Sequence, residues 1–154
     1  MREASITQAA AKIADDMRVI DDGWNKHYLD NTSEPATISE LVSDGIIKAI
    51  PVPPSASGGA AYVAADAAVS LSGAAGTNDT VAVTVGVTQD VCEEINERYT
   101  DIGSAHSDYA NLAAVSTADL KKNLFCGQML ATETVDGVAL TANDYVVFKL
   151  LMVD

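Results

Sequence analysis

Aromatic residues are scarce in this 154-residue chain, at 5%, and Lys and Arg together number only 9 against 22 Asp and Glu. The formal net charge at pH 7 is therefore −13, with an isoelectric point near 4.2. Such a surface is repelled by phosphate backbones, which excludes nucleic acid as a partner, and an anionic membrane surface is disfavoured for the same reason. No apolar run approaches the roughly 20 residues that a membrane-spanning helix requires. No secretory signal is visible either, because Met1-Arg2-Glu3-Ala4-Ser5 leads into a polar, amphipathic segment. Cysteine is limited to Cys92 and Cys126. Two are too few for a zinc site of their own, and they are not spaced as a C-x-x-C redox pair. They form either one disulfide or two buried thiols; a disulfide would imply an oxidising compartment.

Catalytic patterns are missing as well. There is no G-x-S-x-G, no P-loop and no G-x-G-x-x-G. His27 and His106 stand in polar segments without a patterned nucleophile and read as surface residues. Gly58-Gly59 is a loop, since no Lys or helix cap follows it in register. Adjacent helix residues point about 100° apart, so the pairs Asp15-Asp16 and Asp21-Asp22 read as solvated faces and not as metal ligands. Asn78-Asp79 and Asn143-Asp144 lie in loops that could gather oxygens around calcium, but no EF-hand pattern is present. Asn31-Thr32-Ser33 and Asn78-Asp79-Thr80 match the glycosylation triplet, a pattern common by chance. The expectation is a chain that is not an enzyme and holds no cofactor or metal.

What the chain does have is apolar content of 48%, mostly Ala and Val, enough for one domain spanning 1–154. Ser5 to about Tyr28 carries Ile6, Ala9, Ala10, Ile13, Met17, Ile20 and Trp24 at the spacing of one helix face. Ser5 and Gln8 fit a capping box, and Gly23 is expected to fray or bend the end. A short second helix follows, with Thr37 or Ser39 as its cap, Ile38, Leu41, Val42 and Ile46 inward, and Gly45 at its end. Ile50 to Pro54 is stiff and extended, and Ser55 to Gly59 a flexible loop.

From Ala60 the period changes to two. Ala61–Leu71 and Thr80–Val87 read as a hairpin of strands. Thr88 then caps a third helix with Val91, Cys92, Ile95 and Tyr99 inward, and Glu93, Glu94, Glu97 and Arg98 outward. Thr117 to Phe125 suggests a helical turn that brings Leu120, Leu124 and Cys126 inward. Ala131–Asp136 and Tyr145–Val153 read as strands, the latter as the central one.

This order of elements resembles the periplasmic domain of a type IV pilin, of the type IVb group. The residues that carry the likeness are Ser5–Tyr28 as the exposed half of a spine helix, Ile38 to Gly45 with the prolines after it, Gly86-Val87-Thr88-Gln89-Asp90-Val91-Cys92, and Cys126 ahead of a closing strand. The resemblance implies an α+β fold, a long N-terminal helix packed on an antiparallel sheet, with a disulfide-bounded C-terminal region. Residues 1–28 would be the spine half, 29–59 the connection, and 60–154 the sheet with its disulfide-bounded region. The resemblance also implies that Cys92 and Cys126 are joined, worth about 4 kcal/mol in the chain-entropy model. It further implies a preceding hydrophobic helix half, absent here, that anchors the subunit in the inner membrane before assembly.

On that likeness, the stripe Ile6, Ala9, Ala10, Ile13, Met17, Ile20 and Trp24 serves helix packing and assembly. Partners would be other pilin subunits in a helical homopolymer, the inner-membrane assembly machinery, and a host or cell-surface receptor. The location would be the cell-surface pilus. Alternatives are a minor pilin, a type II secretion pseudopilin, or a small secreted binding or adhesion module using the Thr100–Ser116 loop.

Overall fold

The computed structural model describes residues 4–33, 35, 37–66, 80–99, 107–109, 124–135 and 138–152. The three-and-four spacing of the first segment produces helix α1 (Ala4–Asn31). Ser5 already lies inside the helix, so it is not the expected cap. The end does not fray at Gly23: α1 runs through it and continues past Tyr28. A Cβ at Gly23 would lie 3.2 Å from Leu41 Cδ1 and 3.3 Å from Ile47 Cγ2. The missing side chain lets the next helix press against α1, which offsets the propensity cost of glycine.

That next helix, α2 (Ile38–Ser43), has Thr37 at its N-cap and Asp44 at its C-cap. Gly45 follows in the left-handed conformation, φ +74°. Its N–H donates to the Val42 carbonyl and that of Ile46 to the Leu41 carbonyl, a Schellman termination that glycine makes accessible.

The Ser55–Gly59 segment is a built corner and not the flexible loop expected. Ser55–Ser57 forms a 3-10 turn, and Ser57 is buried. Its Oγ donates to the Pro54 carbonyl at 2.7 Å and accepts from Gly59 N at 3.0 Å. Thr88 N donates to the Ser57 carbonyl, pinning the end of a neighbouring strand.

Five strands form one sheet in the order β1-β2-β7-β4-β3. They are β1 (Val63–Asp66), β2 (Thr80–Val87), β3 (Ser107–Tyr109), β4 (Leu124–Met129) and β7 (Tyr145–Met152). All pairs are antiparallel except β3 with β4, which is parallel. β1 covers only part of the Ala61–Leu71 strand expected; positions 67–79 lie outside the described residues, as does most of the Thr100–Ser116 loop. Leu124 and Phe125 open a strand where a helical turn was expected; the rest of that turn, 117–123, is outside the described residues. A separate two-stranded ribbon pairs β5 (Glu133–Val135) with β6 (Val138–Leu140).

β7 is the middle strand, as its hydrophobicity predicts, and the sheet is buried on both faces. Ala82, Cys126, Val147 and Leu151 belong to the core shared with α1. Phe125 and Phe148 stack with ring centres 5.1 Å apart, and Val81, Val83, Met129 and Val146 are buried with them. By alternation these point away from the helix-facing set. A strand covered on both faces reads as a continuous apolar run.

Between β2 and helix α3 (Gln89–Tyr99) the ladder shifts register at Val85/Val87, where Gly86 has φ +89°. This is a bulge built on a glycine that tolerates positive φ. It turns the chain so that Thr88 Oγ1 accepts from Val91 N at 3.2 Å and caps α3 as the sequence indicates.

Candidate functional site

Ala9, Ala10, Ile13, Met17, Ile20 and Trp24 of α1 are buried, and Ile6 is partly buried against them. They join Val91, Cys92 and Ile95 of α3 and the helix-facing side of the sheet in one core. The stripe is therefore consumed inside this chain. The opposite face of α1 exposes Gln8, Lys12, Asp15, Arg18, Val19, Asp22 and Lys26. No helix among the described residues is long and apolar enough to cross a membrane.

The two cysteines are joined. Cys92 on α3 and Cys126 on β4 form a disulfide with Cα atoms 5.3 Å apart, which leaves no free thiol among the described residues. Beside it Asn96 is fully buried, one helical turn beyond Cys92. Its Nδ2 donates to the Cys126 carbonyl at 2.8 Å and its Oδ1 accepts from Cys126 N at 2.9 Å. The Asn side chain thus substitutes for a strand neighbour, and α3 is held to β4 both covalently and by a backbone-like pair. The only sequence signal for this role was a polar residue on the buried stripe, four positions after a cysteine.

Two acidic side chains expected at the surface are buried instead. Asp16 accepts from Lys12 Nζ at 2.6 and 2.7 Å and from the Tyr62 hydroxyl at 2.7 Å. Its carboxylate ties α1 to the segment leading into β1. Burial, then the bond to Asp16, raises the Tyr62 phenol well above its ordinary value of 10.0, so it remains a donor. Glu94 is also buried, where the helical pattern placed it outward. It pairs with Arg98 and accepts from Thr7 Oγ1 at 3.4 Å, linking α3 to the start of α1. Tyr99, expected inward, is 39% exposed. Asp21, half-buried, has its carboxyl raised, chiefly by burial, although Lys149 Nζ lies 3.8 Å away.

His27 is the largest departure from the sequence reading. It is 3% exposed, near the end of α1. Its Nδ1 is 3.0 Å from the Ser33 carbonyl oxygen. Its Nε2 faces two carboxylates of the α2 region, Asp44 Oδ2 at 3.0 Å and Glu40 Oε1 at 3.6 Å. Glu40 and Asp44 are one helical turn apart, and both side chains are partly open to solvent at 39% and 42%. Spacing on α2 alone could place the carboxylates together; only the return of α2 onto α1 supplies the imidazole. Among the described residues this is the one grouping of three His, Cys, Asp or Glu side chains whose donor atoms lie within 4.8 Å of one another. Asn143-Asp144 forms instead the turn before β7, with Asn143 N donating to the Met129 carbonyl. His106 and Asn78-Asp79 lie outside the described residues.

No protein-family model, curated protein or solved structure matches the chain.

Proposed function

We propose that this chain is the globular domain of a filament-forming subunit of the type IV pilin kind, with a type IVb-like arrangement, acting in adhesion or aggregation at a bacterial surface. One observation carries the reading: a 28-residue amphipathic helix lies along an antiparallel sheet, and a disulfide clasps α3 to β4 beside the closing strand. Because the apolar stripe of α1 is consumed within the subunit, neighbouring subunits meet its outer face. That face carries both signs, with Lys12, Arg18 and Lys26 among Asp15 and Asp22. Mixed charge suits contact between identical copies, whereas a uniformly acidic face would repel its own duplicate. One repeated head-to-tail contact that does not close generates an open helical filament. The partners are further copies of the chain, the inner-membrane assembly machinery and a cell-surface receptor.

Immunogold electron microscopy of native cells with antibodies to this chain tests the proposal. Gold aligned along thin surface filaments, lost on deletion of the gene, is the expected result. Label confined to the cell body or to soluble secreted material would overturn it.

A further inference from the structure

We propose that His27, Glu40 and Asp44 form a binding site for one divalent cation of the zinc class, clamping the C-terminal end of α1 to α2. The Ser33 carbonyl has only lone pairs, so the 3.0 Å contact places a proton on His27 Nδ1. Nε2 faces two carboxylate oxygens, which only accept, at 3.0 and 3.6 Å. The three atoms lie within 4.8 Å of one another, close enough to share one cation.

A proton on Nε2 serves one of the two carboxylates. It can bond Asp44 at 3.0 Å, but the 3.6 Å to Glu40 is beyond hydrogen-bond reach. The two separations from Nε2 fit a metal. In a tetrahedral site with Zn–N and Zn–O bonds near 2.0–2.1 Å, neighbouring ligand atoms lie about 3.3 Å apart, between the two observed values. A ligating imidazole whose other nitrogen donates to a backbone carbonyl is the usual outer-shell arrangement, which fixes the ring and its tautomer. The partial exposure of Glu40 and Asp44 gives the ion a path from solvent and leaves a fourth position to water. This inference is independent of the filament reading.

The test uses the folded chain free of any histidine tag, treated with chelator and titrated with Zn²⁺ by calorimetry, and with Co²⁺ by visible absorption. Glu40→Gln and Asp44→Asn preserve size and lie at partly exposed positions, and far-UV circular dichroism confirms that the variants fold. The expected result is one Zn²⁺ per chain, a thermal midpoint raised by the metal, and an intense tetrahedral Co²⁺ spectrum. All three are lost in the Glu40→Gln/Asp44→Asn double variant. Absence of stoichiometric binding by the parent chain would overturn the proposal. So would binding that persists unchanged in the double variant, which would place the ion elsewhere on this acidic surface.

Discussion

At the scale of single residues, buried polar side chains join the elements. Asp16 receives the Lys12 ammonium on its own helix and the Tyr62 hydroxyl from the far side of the core. Tyr62→Phe keeps the ring and removes only the donor to a charged acceptor, so equilibrium urea unfolding at pH 7 should show a loss of about 1.5–3 kcal/mol. The pH dependence has a definite sign. The Tyr62 phenol is raised above 10.0 in the folded chain, so its contribution is complete below pH 10.0 and is lost as pH rises beyond it. The stability margin of the parent chain over Tyr62→Phe should therefore narrow above pH 10.0. Asn96 carries a comparable role at the clasp. Asn96→Ala strands a buried N–H and a buried carbonyl of Cys126, and should cost about 2–4 kcal/mol in the same measurement.

At the scale of elements, the disulfide ties α3 to β4, and the core stripe of α1 packs that helix against α3 and the sheet. The two cysteines are 34 positions apart, so the cross-link restricts a long loop in the unfolded chain. Replacing both with Ala should lower stability by about 4 kcal/mol if chain entropy dominates. Trp24 is the sole tryptophan and is buried on α1, so its emission reports the unfolding of the helix from the sheet.

The elements differ in how legible they were in the sequence. Periodicity placed α1, α3 and β7 because each carries a strong apolar pattern at one period. It placed β4 poorly, since Leu124-Phe125-Cys126 is a short apolar run that suits a helical turn as well as a strand. Gly23 was misread because propensity treats glycine as a local weakness, whereas its role depends on Leu41 and Ile47 arriving from elsewhere. His27, Asp16 and Glu94 were misread for the same reason. Their partners are set by how α1 meets α2, α3 and the segment before β1, and polar character alone suggests exposure.

At the scale of the whole molecule, a net charge of −13 is spread over a fold whose outer α1 face is mixed in sign. Self-repulsion opposes the compact state and is relieved by salt. The screening length falls from about 30 Å at 0.01 M to about 8 Å at 0.15 M ionic strength, so the thermal midpoint should rise across that interval. A flat or falling midpoint would show that the charge is already neutralised locally.

The most direct measurement of the proposed filament role is a helical reconstruction by cryo-electron microscopy of filaments isolated from native cells. The expected map contains this fold as its repeating unit. In it α1 is turned toward the filament axis, and Arg18, Val19, Asp22 and Lys26 lie against the next subunit. Filaments whose repeating unit is another chain, or a map in which α1 faces solvent, would contradict it.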